Sequence, residues 1–187
     1  MDSARASTRK LTYDDFLLFP DDGQRHELID GEHYVTPSPY IRHQELLKRL
    51  SFAIELHLRR HPDQGQMFFA PLDCVLTMFD VVEPDLFVVT DDQRQILTDR
   101  HVHGAPALVV EILSAGSRRL DGRIKRDLYD RVGVREFWVV DPTASTVIVH
   151  RRRRADGLEP LSALGSNDTL TTPLLPGFAL ALAAYFA

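Results

Sequence analysis

The sequence predicts an α/β fold: a mixed β-sheet flanked by helices, with a hairpin at its N-terminal end. Three observations predict it. His26–Ile29 and His33–Thr36 flank Asp30-Gly31, a strong hairpin turn signal. Leu47, Leu50, Ile54 and Leu58 recur at helical spacing between Tyr40 and Arg60. Ala107–Leu113 is apolar except for Glu111, the pattern of a strand covered on both faces.

The other elements follow in order. Thr12 and Asp15 form the start signal of a short helix over Tyr13–Phe19, ended by Pro20. Pro62 stops the long helix. Strands are expected over Met67–Phe69, Leu72–Met78 and Asp85–Val89, then a polar stretch to about Gly104. A second helix is expected over Arg119–Val132, with Leu120, Ile124, Leu128 and Val132 as its apolar stripe and Gly133 as its left-handed cap. Glu136–Val140 and Thr146–Arg151 read as strands joined at Asp141-Pro142-Thr143. The tail reads as irregular up to Leu175-Pro176-Gly177, before a short apolar element. Helices alternating with strands in this way pack on the faces of a sheet.

The length, 187 residues, suits one domain spanning 1–187. With 44% hydrophobic and 26% charged residues, the chain can bury a core without disulfide staples. Its one cysteine, Cys74, sits in an apolar run and reads as a small buried hydrophobe. The N-terminal residues lack the apolar core of a signal peptide. Phe178–Ala187 falls well short of the roughly twenty residues of a membrane span. A cytoplasmic protein with no membrane partner is expected. The net charge of −5 excludes a protein that coats DNA non-specifically. Basic residues still cluster at Arg118, Arg119, Arg123, Lys125 and Arg126, and at Arg151–Arg154, either as local contacts or as solvated faces and edge guards.

Two carboxylates stand where simple packing would not put them. Asp85 opens the apolar strand Leu86–Val89, and Glu111 interrupts another. Ionised carboxylates are rarely buried unless they are paired or hold a metal. From the residues alone, Glu111 reads either as such a group or as one at an exposed strand end or bonded to an arginine.

The stretches Val82-Glu83-Pro84-Asp85-Leu86-Phe87-Val88 and Pro106–Ser114 resemble the metal-binding core of the PD-(D/E)XK nuclease superfamily. Tyr13, Phe16, the run His26–Glu32, Lys125 with Tyr129, and Gly133–Pro142 narrow the resemblance to the restriction-endonuclease-like Uma group. The ordered match runs over roughly residues 11–182. It implies a metal held by Asp85, Glu111 and the main-chain carbonyl of Ile112, with Glu27 completing the acidic cluster. Oxygen ligands of this kind suit Mg²⁺, with Mn²⁺ able to substitute. The implied reaction is phosphodiester hydrolysis.

The superfamily lysine is missing: Leu113 stands two residues after Glu111. The resemblance implies that Lys125 takes over its role. Asp121, Lys125 and Tyr129 share one helix stripe beside the apolar one, from which a long lysine could reach over the sheet edge. The alternative is a surface lysine paired with Asp121. His43 reads as a helix-surface residue, as one that supports a ligand from behind, or as a neighbour of Glu27. His101 and His103 lack the further ligands of a zinc site. Ser114 reads as a cap or phosphate contact and Trp138 as core. No glycine-rich phosphate loop is present.

The leading expectation is a Mg²⁺-dependent endonuclease acting on nucleic acid, DNA before RNA. A catalytically weak nucleic-acid-binding or assembly protein with the same fold is the alternative, favoured by Leu113 and the acidic charge. A metal-binding structural domain of a larger complex is the third. Members of the superfamily it resembles, at this size, often work as dimers because cutting two strands needs two sites, so the resemblance implies a homodimer. Its candidate contact surfaces are the strand pair Glu136–Arg151 and the apolar C-terminal segment.

Overall fold

The Asp30-Gly31 turn joins β1 (Arg25–Ile29) to β2 (Glu32–Thr36) as an antiparallel pair. Both turn residues have positive φ, 52° and 76°, as a two-residue type I′ turn requires. A side chain at Gly31 would also bring a Cβ within 2.5 Å of the Lys10 Cβ. This computed structural model describes residues 9–36, 38–114, 123–153 and 157–187. Arg118, Arg119, Leu120, Asp121 and Arg154, singled out above, lie outside the described residues.

Helix α1 (Tyr13–Phe16) is shorter than the sequence suggests, but its capping box is present: the Thr12 N–H donates to Asp15 Oδ2 at 2.8 Å. The strand expected over Leu72–Met78 is shortened to β4 (Cys74–Thr77), and a further strand the sequence reading did not include, β5 (Asp80–Val82), pairs with it antiparallel. Asp80 fixes that turn. Its carboxylate accepts from Thr77 Oγ1 at 2.6 Å and from the Asp30 N–H at 2.8 Å. With β7 (Val102–His103), these strands form a five-stranded sheet in the order β2-β1-β5-β4-β7.

The central sheet is mixed, as expected. Its members are β3 (Gln66–Phe69), β6 (Leu86–Val89), β8 (Leu108–Ile112), β9 (Glu136–Asp141), β10 (Thr146–Arg152) and β11 (Leu158–Leu164). They lie in the order β11-β10-β9-β8-β6-β3, and β8 and β9 are the parallel pair. Parallel neighbours need a crossover, and α3 (Lys125–Arg131) lies on it. β11 falls where the tail was read as irregular. It carries Pro160, which an edge strand tolerates, opposite a bulge at Val149/His150. β12 (Thr169–Thr171) and β13 (Ala179–Ala181) add a small antiparallel pair.

The long helix α2 (Ile41–Arg60) buries His43, Leu46, Leu47, Leu50, Ile54 and Leu58. With α4 (Leu182–Phe186) it covers one face of the central sheet, where Leu86, Val110, Ile112 and Trp138 meet it. The opposite face, with Phe87, Val109 and Phe137, packs against Leu128 and Tyr129 of α3 and against Cys74 and Val82 of the smaller sheet. Cys74 is thus buried, as expected. β9 and β10 lie inside the sheet, and α4 buries Leu182, Tyr185 and Phe186. Both surfaces suggested above for self-association are therefore spent largely on the fold itself.

The basic run at Arg151 has a structural use that its sequence did not disclose. Glu136 is fully buried and accepts from Arg151 Nε at 2.8 Å, Trp138 Nε1 at 2.7 Å and Thr172 Oγ1 at 3.2 Å. Arg152 binds the Asp130 carboxylate at 2.8 Å and the Val134 carbonyl at 3.1 Å, tying β10 to α3. Trp138 is core, as predicted, with its indole N–H satisfied. Removing one member of a buried, hydrogen-bonded ion pair strands the other. Arg151→Ala, which leaves the fully buried Glu136 carboxylate without its cation, is expected to cost about 3 kcal/mol in urea denaturation; a loss below about 1 kcal/mol would contradict this account.

Candidate active site

The site lies where β8 leaves the central sheet. Leu86 pairs with Val110, so Asp85 and Glu111 follow as neighbours at the same end of two adjacent strands. Side chains alternate along β8: Leu108, Val110 and Ile112 enter the α2 side of the core, leaving Glu111 toward α3 and the smaller sheet. Glu27 comes from β1 of that sheet. Glu27, Glu111 and Lys125 are each 1% exposed or less, and Asp85 4%.

Lys125 opens α3 with its Nζ between two carboxylates, 2.8 Å from Glu27 Oε1 and 3.0 Å from Glu111 Oε1. It is not the surface lysine of the alternative reading, whose partner Asp121 lies outside the described residues. An isolated buried ammonium would be costly, and two carboxylates offset that cost. One turn on, the Tyr129 hydroxyl donates to Glu111 Oε1 at 2.6 Å. Burial, reinforced by Glu111 and Glu27, pushes the Tyr129 phenol well above its ordinary value, so it remains a donor. Glu27 Oε1 also accepts the Glu83 N–H at 3.0 Å.

Asp85 is held from three directions. Its Oδ2 accepts the Ile112 N–H at 2.8 Å and lies 2.9 Å from His43 Nε2, while Oδ1 accepts from Arg25 Nη1 at 3.1 Å. Burial alone would raise this carboxyl; His43, the Arg25 charge and the Ile112 N–H outweigh it and hold it below its ordinary 3.8. Burial likewise would lower the Arg25 guanidinium, but Asp85, Glu111 and Glu27 together raise it. Glu83 moves the other way: burial raises its carboxyl despite Arg25.

The structure thus brings together Glu27, Asp85, Glu111 and Lys125, with the Ile112 main chain beside them. It leaves His101 and His103 elsewhere, with ring centres 6.0 Å apart and Tyr13 next to His101. His43 meets Asp85 rather than Glu27. Its burial was readable, because it stands four residues before Leu47 on the buried stripe. Arg25 was missed, although it shares a strand face with Glu27 two residues on.

Among the described residues, no group of three or more His, Cys, Asp or Glu side chains is arranged to hold a metal ion. The site offers a carboxylate pair instead, and Mg²⁺ is commonly held by one or two carboxylates with water and substrate phosphate completing its shell. Glu27, Asp85, Glu111 and Glu83 meet Arg25 and Lys125 here, and the donors they offer are all oxygen.

These elements define a nuclease-type α/β fold, and comparison with known proteins assigns it to a family. Residues 13–183 match the model of the family Uma2, described as "Putative restriction endonuclease". The chain belongs to that family. Its fold is similar to the crystal structure of a protein from Anabaena variabilis described as "a putative nuclease belonging to DUF820". The TM-score is 0.77 with 19% identity, over 94% of this chain and 97% of that one. Identity at this level shows the fold alone. No match is found among curated proteins. Among the described residues, no helix is long and apolar enough to cross a membrane.

The Asp85 bonds have a testable sign. A carboxyl held below its unfolded value contributes stability that is present above that value and lost as pH falls through the folded one. Denaturation followed from neutral pH into acid should show the unaltered protein losing stability below about pH 4 more steeply than Asp85→Asn. Parallel acid limbs would contradict the assignment. Glu83, with the opposite sign, is common to both proteins and cancels.

Proposed function

We propose that the protein is a metal-dependent endonuclease that hydrolyses phosphodiester bonds, with DNA as substrate, and that Asp85 and Glu111 hold the ion together with the Ile112 carbonyl. One observation carries this reading. A buried lysine stands beside the paired carboxylates, although the sequence lacks lysine at the expected position two residues after Glu111. Family membership supports the nuclease class. A hard divalent cation, Mg²⁺ or Mn²⁺ in its place, would supply Lewis-acid polarisation of the phosphate and easier ionisation of the attacking water.

The chain's own groups have separable parts in this reading. His43 and the Ile112 N–H orient Asp85 from behind. Tyr129 fixes Glu111. Lys125 brings a positive charge to where negative charge develops on the phosphate, the kind of preorganised stabilisation that needs no rearrangement during reaction. Glu27 holds that ammonium in place.

Supercoiled plasmid incubated with Mg²⁺ or Mn²⁺ tests the proposal. Nicking or linearisation should occur and be abolished by EDTA. Asp85→Ala, Glu111→Ala and Lys125→Ala should each reduce the rate by about a hundredfold or more. An active Lys125→Ala would leave the carboxylates in place and remove the lysine from the mechanism. Inertness of the folded protein on plasmid, single-stranded DNA and RNA would favour the binding or assembly role instead.

A further inference from the structure

A cleft of about 740 Å³ opens onto Asp85 between the N-terminal hairpin, the start of α2 and the loop after β3. Asp21, Glu83 and Asp85 line it, along with neutral side chains, and Arg25 is the only lysine or arginine among its described lining residues. A phosphodiester approaching Asp85 through this cleft would meet three carboxylates and one guanidinium. The position of that guanidinium therefore decides whether the cleft accepts an anion.

Arg25 is committed to Asp85, but incompletely. Its Nη1 donates to Asp85 Oδ1 at 3.1 Å and its Nη2 donates to the Glu83 carbonyl. Its Nε faces Glu83 Oε2 at 3.5 Å, and both atoms are buried without a hydrogen bond. Asp85 Oδ2 is already occupied by His43 and the Ile112 N–H. Oδ1 is the oxygen left for another cation, and Arg25 covers it. Two cations on one oxygen repel each other. A guanidinium released from Asp85 would still line the cleft, and its fork of N–H donors matches a phosphate.

We propose that Arg25 is a built-in cation that shares Asp85 Oδ1 in competition with the divalent ion and, once displaced, grips the substrate phosphate in the cleft. The proposal rests on the reading of Asp85 and Glu111 as the ion's ligands. It makes Arg25 an inhibitor of ion binding and a promoter of nucleic-acid binding, two effects of opposite sign. A merely structural arginine would not separate them, because its loss would weaken both.

Mn²⁺ titration by calorimetry and binding of a labelled DNA duplex test it, with Ca²⁺ present in the DNA assay so that binding is read without cleavage. Unaltered protein is compared with Arg25→Gln, Arg25→Lys and Asp85→Ala, and thermal melts establish that each is folded. Arg25→Gln should bind Mn²⁺ roughly tenfold more tightly and the duplex roughly tenfold more weakly, within the usual range of coupling between ligands of one site. Arg25→Lys keeps the competing charge, so its Mn²⁺ affinity should stay near that of the unaltered protein, while its loss of the fork weakens DNA binding. If the unaltered protein binds Mn²⁺ and Asp85→Ala does not, yet Arg25→Gln binds it no more tightly, the proposal falls and the ion site stands. If neither the unaltered protein nor Arg25→Gln binds Mn²⁺, the reading of the ion site falls and the proposal with it.

Discussion

Lys125 carries its positive charge where water does not reach, and most of the site follows from how that charge is compensated. A buried ammonium needs carboxylates at hydrogen-bond distance. Glu27 reaches it from the hairpin sheet and Glu111 from the central sheet, so the ammonium joins two sheets and a helix through three side chains. Neither sheet can shift against the other without stranding a charge. Replacing such a cluster with apolar residues would often be neutral or stabilising. Its presence in the core is the observation on which the proposed chemistry rests.

The architecture places these groups by ordinary rules. A central strand flanked on both sides gives Glu111 a buried position with main-chain partners already satisfied. The parallel β8–β9 pair demands a crossover, and the crossover carries Lys125 and Tyr129 back over the face that holds Glu111. Asp85 stands one residue before its strand, where the Ile112 N–H is free to bond to it instead of to the ladder. At the far end of β9, the fully buried Glu136 and the half-buried Arg151 form a second ion pair that ties the sheet together without approaching the site.

Much of this was legible in the sequence where a residue broke a pattern. Glu111 inside an apolar run and Asp85 at the mouth of another announce themselves, because a charge has no reason to be there unless it is compensated. The Asp30-Gly31 turn and the α2 stripe were equally clear. Other features were hidden for physical reasons. The turn between β4 and β5 contains no Gly, Pro or Asn; an aspartate bonded across it replaces turn chemistry. β11 was concealed by Pro160, acceptable only because the strand is an edge. Lys125 sits at the border of a helix stripe, where spacing cannot separate a solvated lysine from one turned inward. Arg25 lay in plain view on the face it shares with Glu27, but a basic residue at a strand start raises no conflict and so drew no inference.

The central claim is that Asp85 and Glu111 together hold a divalent cation. The most direct test is a crystal of the protein grown with Mn²⁺ and measured for its anomalous scattering. The account predicts a Mn²⁺ peak in contact with carboxylate oxygens of both Asp85 and Glu111. A fully ordered site with Lys125 and Arg25 still bonded to these carboxylates and no peak between them at saturating Mn²⁺ would contradict it.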